Sequence, residues 1–79
     1  MPFVEIKIIE GELSEDETKK LIEDVTDVVV SHIGENLRSV IWVTVQEVKS
    51  GCWGVGGKCI RLEDIRAMQA GTTEKAEEF

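Results

Sequence analysis

The alternation of apolar and charged side chains near the start of the chain predicts a β-strand over residues 2–9. Apolar residues occupy the even positions Val4, Ile6 and Ile8, and the positions between them carry charge. Alternation with a period of two residues is typical of a strand with one apolar face. The Glu-Gly-Glu-Leu sequence that follows, residues 10–13, interrupts the pattern and predicts a short connection.

A long amphipathic helix is predicted from Ser14 to Ile33. Ser14 and Glu17 have the spacing of a capping box, and acidic residues fill the first turn, where the helix dipole favours negative charge. Gly34 stands where a left-handed C-cap is expected. Apolar residues recur along the helix at steps of three and four, as one buried stripe requires: Leu21, Ile22, Val25, Val28, Val29 and Ile33.

A second strand is predicted over residues 39–48, because this segment is rich in β-branched side chains. A strand, a long helix and another strand form a β-α-β unit, whose two strands are most simply parallel with a right-handed crossover. We expect the apolar faces of both strands to lie against the helix.

Four glycines lie within residues 51–57, around Trp53. They predict tight turns and a short hairpin, and their spacing matches neither a P-loop nor a dinucleotide-binding motif. A short helix is predicted over residues 62–70, ended by Gly71, and the polar residues 72–79 are expected to fray. The predicted fold class is therefore α+β: a β-α-β unit with parallel strands plus a C-terminal hairpin.

Composition narrows the possible partners. The chain has 79 residues, with 16 acidic against 9 basic side chains and a formal net charge of -7. Nucleic acid is not an expected partner, because a phosphate backbone would repel the excess carboxylates. No apolar run approaches the roughly 18 residues of a membrane span, so we expect a cytoplasmic protein. We also expect a partner chain to complete the core of so small a domain.

The residues that commonly bind metals are sparse. Cys52 and Cys59 are the only cysteines and His32 is the only histidine. Zinc sites usually combine several closely spaced ligands of these types, so we expect neither a metal nor another cofactor. Two reduced thiols are predicted, and His32, on or beside the apolar stripe of the helix, is expected to have no role in a site.

Pro2 gains a chemical role only if Met1 is removed. While Met1 remains, the Pro2 nitrogen is a tertiary amide and cannot act as a base. After removal it is a secondary amine at the start of a strand. An ordinary α-amino group has a pKa of about 7.7 to 8. Burial against apolar neighbours such as Trp53 would lower that pKa and leave a neutral base near pH 7.

The order of these elements resembles the 4-oxalocrotonate tautomerase family over residues 2–61. The resemblance rests on five features in this order. Pro2 begins a strand, Glu10-Gly11 follows its end, and one capped helix comes next; a second strand then ends in Gln46-Glu47-Val48 and is followed by Trp53-Gly54-Val55-Gly56-Gly57. On this basis the chain divides into a tautomerase-like domain, residues 1–61, and a C-terminal extension, residues 62–79.

The resemblance implies an isomerase that carries out keto–enol tautomerisation of a small 2-oxo or enol acid. The amino-terminal proline of the family maps onto Pro2, the general base. The aromatic residue before its GxGG turn maps onto Trp53, which would form an apolar wall beside the amine. The family also implies homo-oligomers, trimers or more often hexamers, with sites between subunits.

Two positions depart from the family pattern. The best-known members have an arginine after the Glu-Gly pair, where this chain has Glu12. A second arginine position, near the start of the second strand, falls on Trp42 or Ile41, depending on the direction of counting. Those arginines bind substrate carboxylates and stabilise developing negative charge. We therefore take Trp42, Trp53 and Arg38 as candidate substrate-binding residues. Other cations are alternatives to Arg38: Lys7, Lys49, Lys58 and Arg61.

Two other functions stay open. A protonated Pro2 could assist the addition of water to an unsaturated acid, as in hydratase-like and dehalogenase-like relatives. Alternatively, the loss of both arginine positions indicates a non-catalytic or partner subunit that pairs with an arginine-bearing paralogue in a mixed hexamer.

Overall fold

A computed structural model describes residues 1–71 of the chain as an α+β fold with two small sheets. The elements in order are β1 (Phe3–Ile9), α1 (Glu15–Ile33), a 3-10 helix (Glu35–Val40), β2 (Trp42–Val48), β3 (Trp53–Val55), β4 (Lys58–Ile60) and α2 (Leu62–Gln69). One sheet pairs β1 with β2 and the other pairs β3 with β4. The predicted β-α-β unit with a C-terminal hairpin is confirmed.

β1 and β2 run parallel, since hydrogen bonds join their starts and their ends in the same order. At the start, the Trp42 amide donates to the Pro2 carbonyl at 3.1 Å. At the end, the Glu10 amide donates to the Val48 carbonyl at 2.8 Å. The helix α1 lies between the two strands in sequence, as a crossover between parallel strands requires.

Exposure alternates along β1 as the sequence predicts. Val4 and Ile6 are half-buried, whereas the intervening side chains are exposed. Phe3, one of the exposed alternate positions of β1, is 58% exposed, and Trp42 of β2 is 57% exposed. Two large aromatic side chains therefore stand on the surface of the sheet.

Helix α1 begins as its capping box predicts. The Ser14 hydroxyl accepts a 3.1 Å hydrogen bond from the Glu17 amide, and the Glu17 carboxylate accepts a 2.9 Å bond from the Ser14 amide. At the other end Gly34 has φ 104° and ψ 148°. The positive φ favours glycine, but the extended ψ is not left-handed helical, so the predicted left-handed C-cap is wrong.

The beginning of the second strand also differs from the prediction. Ser39 and Val40, predicted as strand, lie in the 3-10 helix, and β2 begins only at Trp42. The Ile41 amide donates to the Arg38 carbonyl at 3.3 Å and so closes a helical turn. This local hydrogen bond competes with strand pairing, and β-branched composition does not reveal it.

The short C-terminal helix is close to its prediction. α2 ends at Gln69 rather than at residue 70, and Gly71 follows with φ 84°. The predicted frayed tail, residues 72–79, lies outside the described residues. Between residues 1 and 71, no helix combines the length and the apolar character that crossing a bilayer demands.

The chain forms two compact units. Among the described residues, the first comprises Met1–Lys7 and Leu13–Gln46, and the second comprises Ile8–Glu12 and residues 47–71. Within residues 1–71, the buried apolar side chains all belong to the second unit: Ile8, Ile9 and Ile60. The apolar stripe of α1, in the first unit, is at most half-buried.

Candidate active site

Pro2 lies at the start of β1, in the first unit. It is half-buried, and Met1 before it is 83% exposed. The Pro2 carbonyl is held by the Trp42 amide, while the Pro2 nitrogen has no proton to donate and takes no part in the strand ladder.

Trp42 is the predicted site residue that the structure brings next to Pro2. Besides the backbone hydrogen bond, its indole packs on Phe3, with ring centroids 6.0 Å apart and ring planes inclined by 41°. This separation is within the range of favourable aromatic pairs. The start of the sheet therefore combines the candidate base with an apolar, accessible surface.

Arg38 lies in the 3-10 helix, and its guanidinium is bound by two carboxylates. It makes a fork-like pair with Glu35, at 3.0 and 3.1 Å, and a third bond to Asp27 at 2.8 Å. These hydrogen bonds, that to Glu35 foremost, raise the pKa of Arg38 above its ordinary value. A substrate carboxylate would have to displace one of these partners to bind here.

Trp53 lies in the second unit, where it opens β3 and is half-buried. It faces Ile60 across the antiparallel hairpin, and Val55 faces Lys58. Gly56 and Gly57 connect the strands with φ 58° and 83°, as a type I′ turn requires at both central positions. The predicted glycine-rich hairpin is thus confirmed, and it fixes the backbone that carries Trp53.

A second contact network in the same unit joins α2 to the turn after β1. Gly11 has φ +85°, its amide donates to the Glu47 carboxylate at 3.2 Å, and its carbonyl accepts a 2.7 Å bond from Arg66. A Cβ at Gly11 would lie 3.0 Å from the Leu62 side chain. The Glu-Gly turn is therefore exposed but is hydrogen-bonded to side chains of both β2 and α2.

The role of Arg66 is not visible in the sequence. Its partner Gly11 is 55 positions away, and a lone arginine on a short helix gives no indication of the turn it will reach. One local signal exists: Leu62 and Arg66 are four residues apart, so both lie on the same face of α2.

Groups that could hold a metal are not assembled in the described part of the chain. Within residues 1–71, no cluster of three or more His, Cys, Asp or Glu side chains has a suitable arrangement. Cys52 and Cys59 are both exposed and carry free thiols.

Comparison with known proteins decides the family. A family model described as "Tautomerase enzyme" matches residues 2–63. The chain belongs to this tautomerase family. Over 65 residues it is 42% identical to a probable tautomerase of Listeria innocua, covering 82% of this chain and 100% of that protein. Over 60 residues it is 35% identical to a probable tautomerase of Dickeya dadantii, covering 76% and 88%.

This tautomerase-family chain is also similar to a solved structure. It comes from work on 4-oxalocrotonate tautomerase isozymes of Methylibium petroleiphilum, with a TM-score of 0.66 and 31% identity over 73% of this chain and 90% of that one. The family model ends at residue 63, the second residue of α2. Pro2, Trp42 and Trp53 lie inside the matched segment and Arg66 lies outside it.

Proposed function

We propose that this chain is an isomerase that interconverts the keto and enol forms of a small 2-oxo or enol acid. The observation that carries the proposal is that the tautomerase match begins at Pro2, the one residue that becomes a secondary amine when Met1 is removed. Its general base is the Pro2 nitrogen. The reaction needs no cofactor, because the amine both takes and returns the proton.

The proposed mechanism has two proton transfers. The neutral Pro2 amine takes a proton from the carbon beside the keto group, which leaves an enolate. The protonated amine then returns the proton to a different atom of the same system, and the free base is regenerated. Trp53, Trp42 and Arg38 are the candidate substrate-binding residues.

Assembly as a homo-oligomer, a trimer or a hexamer, is part of the same proposal. Only three apolar residues are buried in the described part of the chain, and Phe3 and Trp42 are each more than half exposed. Burial of such side chains between subunits would supply apolar contacts that the single chain lacks. A cytoplasmic location, expected from the composition, also belongs to this proposal.

The test is keto–enol conversion of phenylpyruvate, whose two forms differ in ultraviolet absorbance. The wild-type chain, with Met1 loss verified by mass spectrometry, should accelerate the conversion. Pro2→Ala should lower kcat/KM by about 10²- to 10⁴-fold, the usual contribution of a general base. The control is Lys19→Gln, an exposed change on α1.

Two results would contradict the proposal. One is unchanged turnover in Pro2→Ala, and the other is full activity in a preparation that retains Met1. The hydration reaction of an unsaturated acid is distinguished by its product, since it adds water rather than moving a proton.

A specific observation favours a second candidate, a partner subunit of a mixed hexamer. Glu12 stands where the best-known relatives have an arginine, and the guanidinium of Arg38 is already neutralised by Asp27 and Glu35. Sedimentation and turnover of the chain purified alone separate the two candidates. Full activity as a homo-oligomer excludes the partner-subunit function.

A further inference from the structure

Two exposed thiols lie on one face of the hairpin formed by β3 and β4, within the second unit. Exposure alternates along both arms of this hairpin: Cys52 and Cys59 are exposed, whereas Trp53 is half-buried and Ile60 is only 2% exposed. Trp53 faces Ile60 across the hairpin. Because successive side chains of a strand point to opposite faces, Cys52 and Cys59 both belong to the face turned away from Ile60.

The register brings the two cysteines to diagonal positions of the hairpin. Cys59 is paired with Gly54, and Cys52 precedes Gly54 by two residues on the same arm. Since Gly54 has no side chain, the position across from Cys59 is empty. Among the described residues, the one atom near a Cβ built at Gly54 is the Lys58 carbonyl oxygen, at 4.0 Å. The face that carries the two thiols therefore has room for a group between them.

The spacing favours a bridged pair of thiols over a disulfide. Diagonal positions of paired strands have Cα atoms about 7 to 8 Å apart. A disulfide usually joins Cα atoms about 4.4 to 6.8 Å apart, so it would shift the hairpin backbone. A larger atom placed between the two sulfurs adds two long bonds to the span and removes this requirement. Trivalent arsenic is such an atom, because it is soft and bonds to two thiolate sulfurs at once.

We propose that Cys52 and Cys59 form a dithiol site for trivalent arsenic compounds. In the reaction with an arsenoxide, each thiol forms one S–As bond. The As=O bond breaks, the two thiol protons leave with its oxygen as water, and no atom changes its oxidation state. The adduct closes a ring across the hairpin, so both S–As bonds must break before the arsenic is released. This site is independent of Pro2 and of turnover.

The experiment measures formation and release of the adduct in the full chain. Phenylarsine oxide is added to the reduced protein, and the intact mass is measured. The wild type should gain one phenylarsenic group in place of two thiol hydrogens. Glutathione, a monothiol, is then titrated in to release the arsenical. Cys52→Ser and Cys59→Ser should each release it at a glutathione concentration lower by about a hundredfold, because a single S–As bond lacks the gain from a second attachment.

A relocated thiol tests the shared face rather than the number of cysteines. Lys58 faces Val55 across the hairpin and precedes Cys59, so alternation places it on the opposite face. The double variant Lys58→Cys with Cys59→Ser keeps two thiols at nearly the same separation in sequence. When folded, it should release the arsenical as easily as the single-thiol variants do. The matched control is Lys58→Ser, which keeps both native thiols and should behave as the wild type.

The proposal is overturned if the wild type forms no bridged adduct, or if either serine variant holds the arsenical as tightly as the wild type. It is also overturned if the folded relocated variant matches the wild type, because the shared face would then have no effect. If the relocated variant does not fold, the wild type decides. Its adduct should resist glutathione more strongly in the folded state than in urea, since the fold has already placed the thiols together. Equal release in the two states would contradict the site.

Discussion

At the scale of single residues, Gly11 is restricted by its backbone and by its neighbour at once. Its φ of +85° is unfavourable for any residue with a Cβ, and that Cβ would lie 3.0 Å from Leu62. Gly57 has nearly the same φ, +83°, but nothing within 4 Å of the corresponding position. A side chain at Gly57 would therefore cause backbone strain alone, whereas a side chain at Gly11 would cause backbone strain and crowding against Leu62.

We predict that Gly11→Ala lowers the free energy of unfolding more than Gly57→Ala does. The backbone penalty is about 1 to 2 kcal/mol in both, and displacement of Leu62 adds to it only at Gly11. Urea denaturation measures the free energy of unfolding of both variants. In a Leu62→Ala background, Gly11→Ala should lower that free energy no more than Gly57→Ala does. If the two substitutions have equal effects in the wild-type background, crowding against Leu62 does not contribute.

At the scale of elements, helix α1 depends on its first residues. Ser14→Ala should lower the free energy of unfolding by about 1 kcal/mol, because it leaves the Glu17 amide without its side-chain acceptor. Ser39→Ala, an exposed change in the 3-10 helix, is the matched control and should change it by less than about 0.5 kcal/mol. Thermal or urea unfolding of the two variants gives the comparison, and a Ser14 effect no larger than that of Ser39 would contradict the capping role.

The elements also show why sequence predicted some features and missed others. The start of α1 was predictable because its signal, Ser14 and Glu17, lies within one turn. The start of β2 was not, since the hydrogen bond between Ile41 and Arg38 depends on backbone geometry rather than composition. The hairpin followed from its paired glycines, which the type I′ turn needs.

In the candidate site, too, the sequence predicts some features and does not predict others. Pro2 and Trp53 are candidates because the order of motifs along the chain is itself informative. The contact between Arg66 and Gly11 could not be predicted, because the two residues are far apart in sequence. The pairing of Arg38 with two acidic side chains was equally invisible, since Asp27 lies on a different element.

At the scale of the whole molecule, few apolar side chains are buried in residues 1–71, namely Ile8, Ile9 and Ile60. If copies of the chain associate when folded, mass action raises the unfolding temperature with protein concentration. We predict a rise in Tm over about a hundredfold range of concentration. Scanning calorimetry at each concentration tests this, with sedimentation at the same concentrations as the check on size. A Tm that does not change would show that the folded chain is self-sufficient.

The hydrogen bond between Arg66 and Gly11 also sets an order of events during folding. It joins positions 55 residues apart, whereas the bonds of α1 join positions a few residues apart. Local contacts form quickly, and contacts between distant positions wait for a long loop to close. As the chain leaves the ribosome, Gly11 emerges early and must wait for α2. The turn after β1 thus receives its α2 contact only after the 55 residues that separate Gly11 from Arg66 have been synthesised.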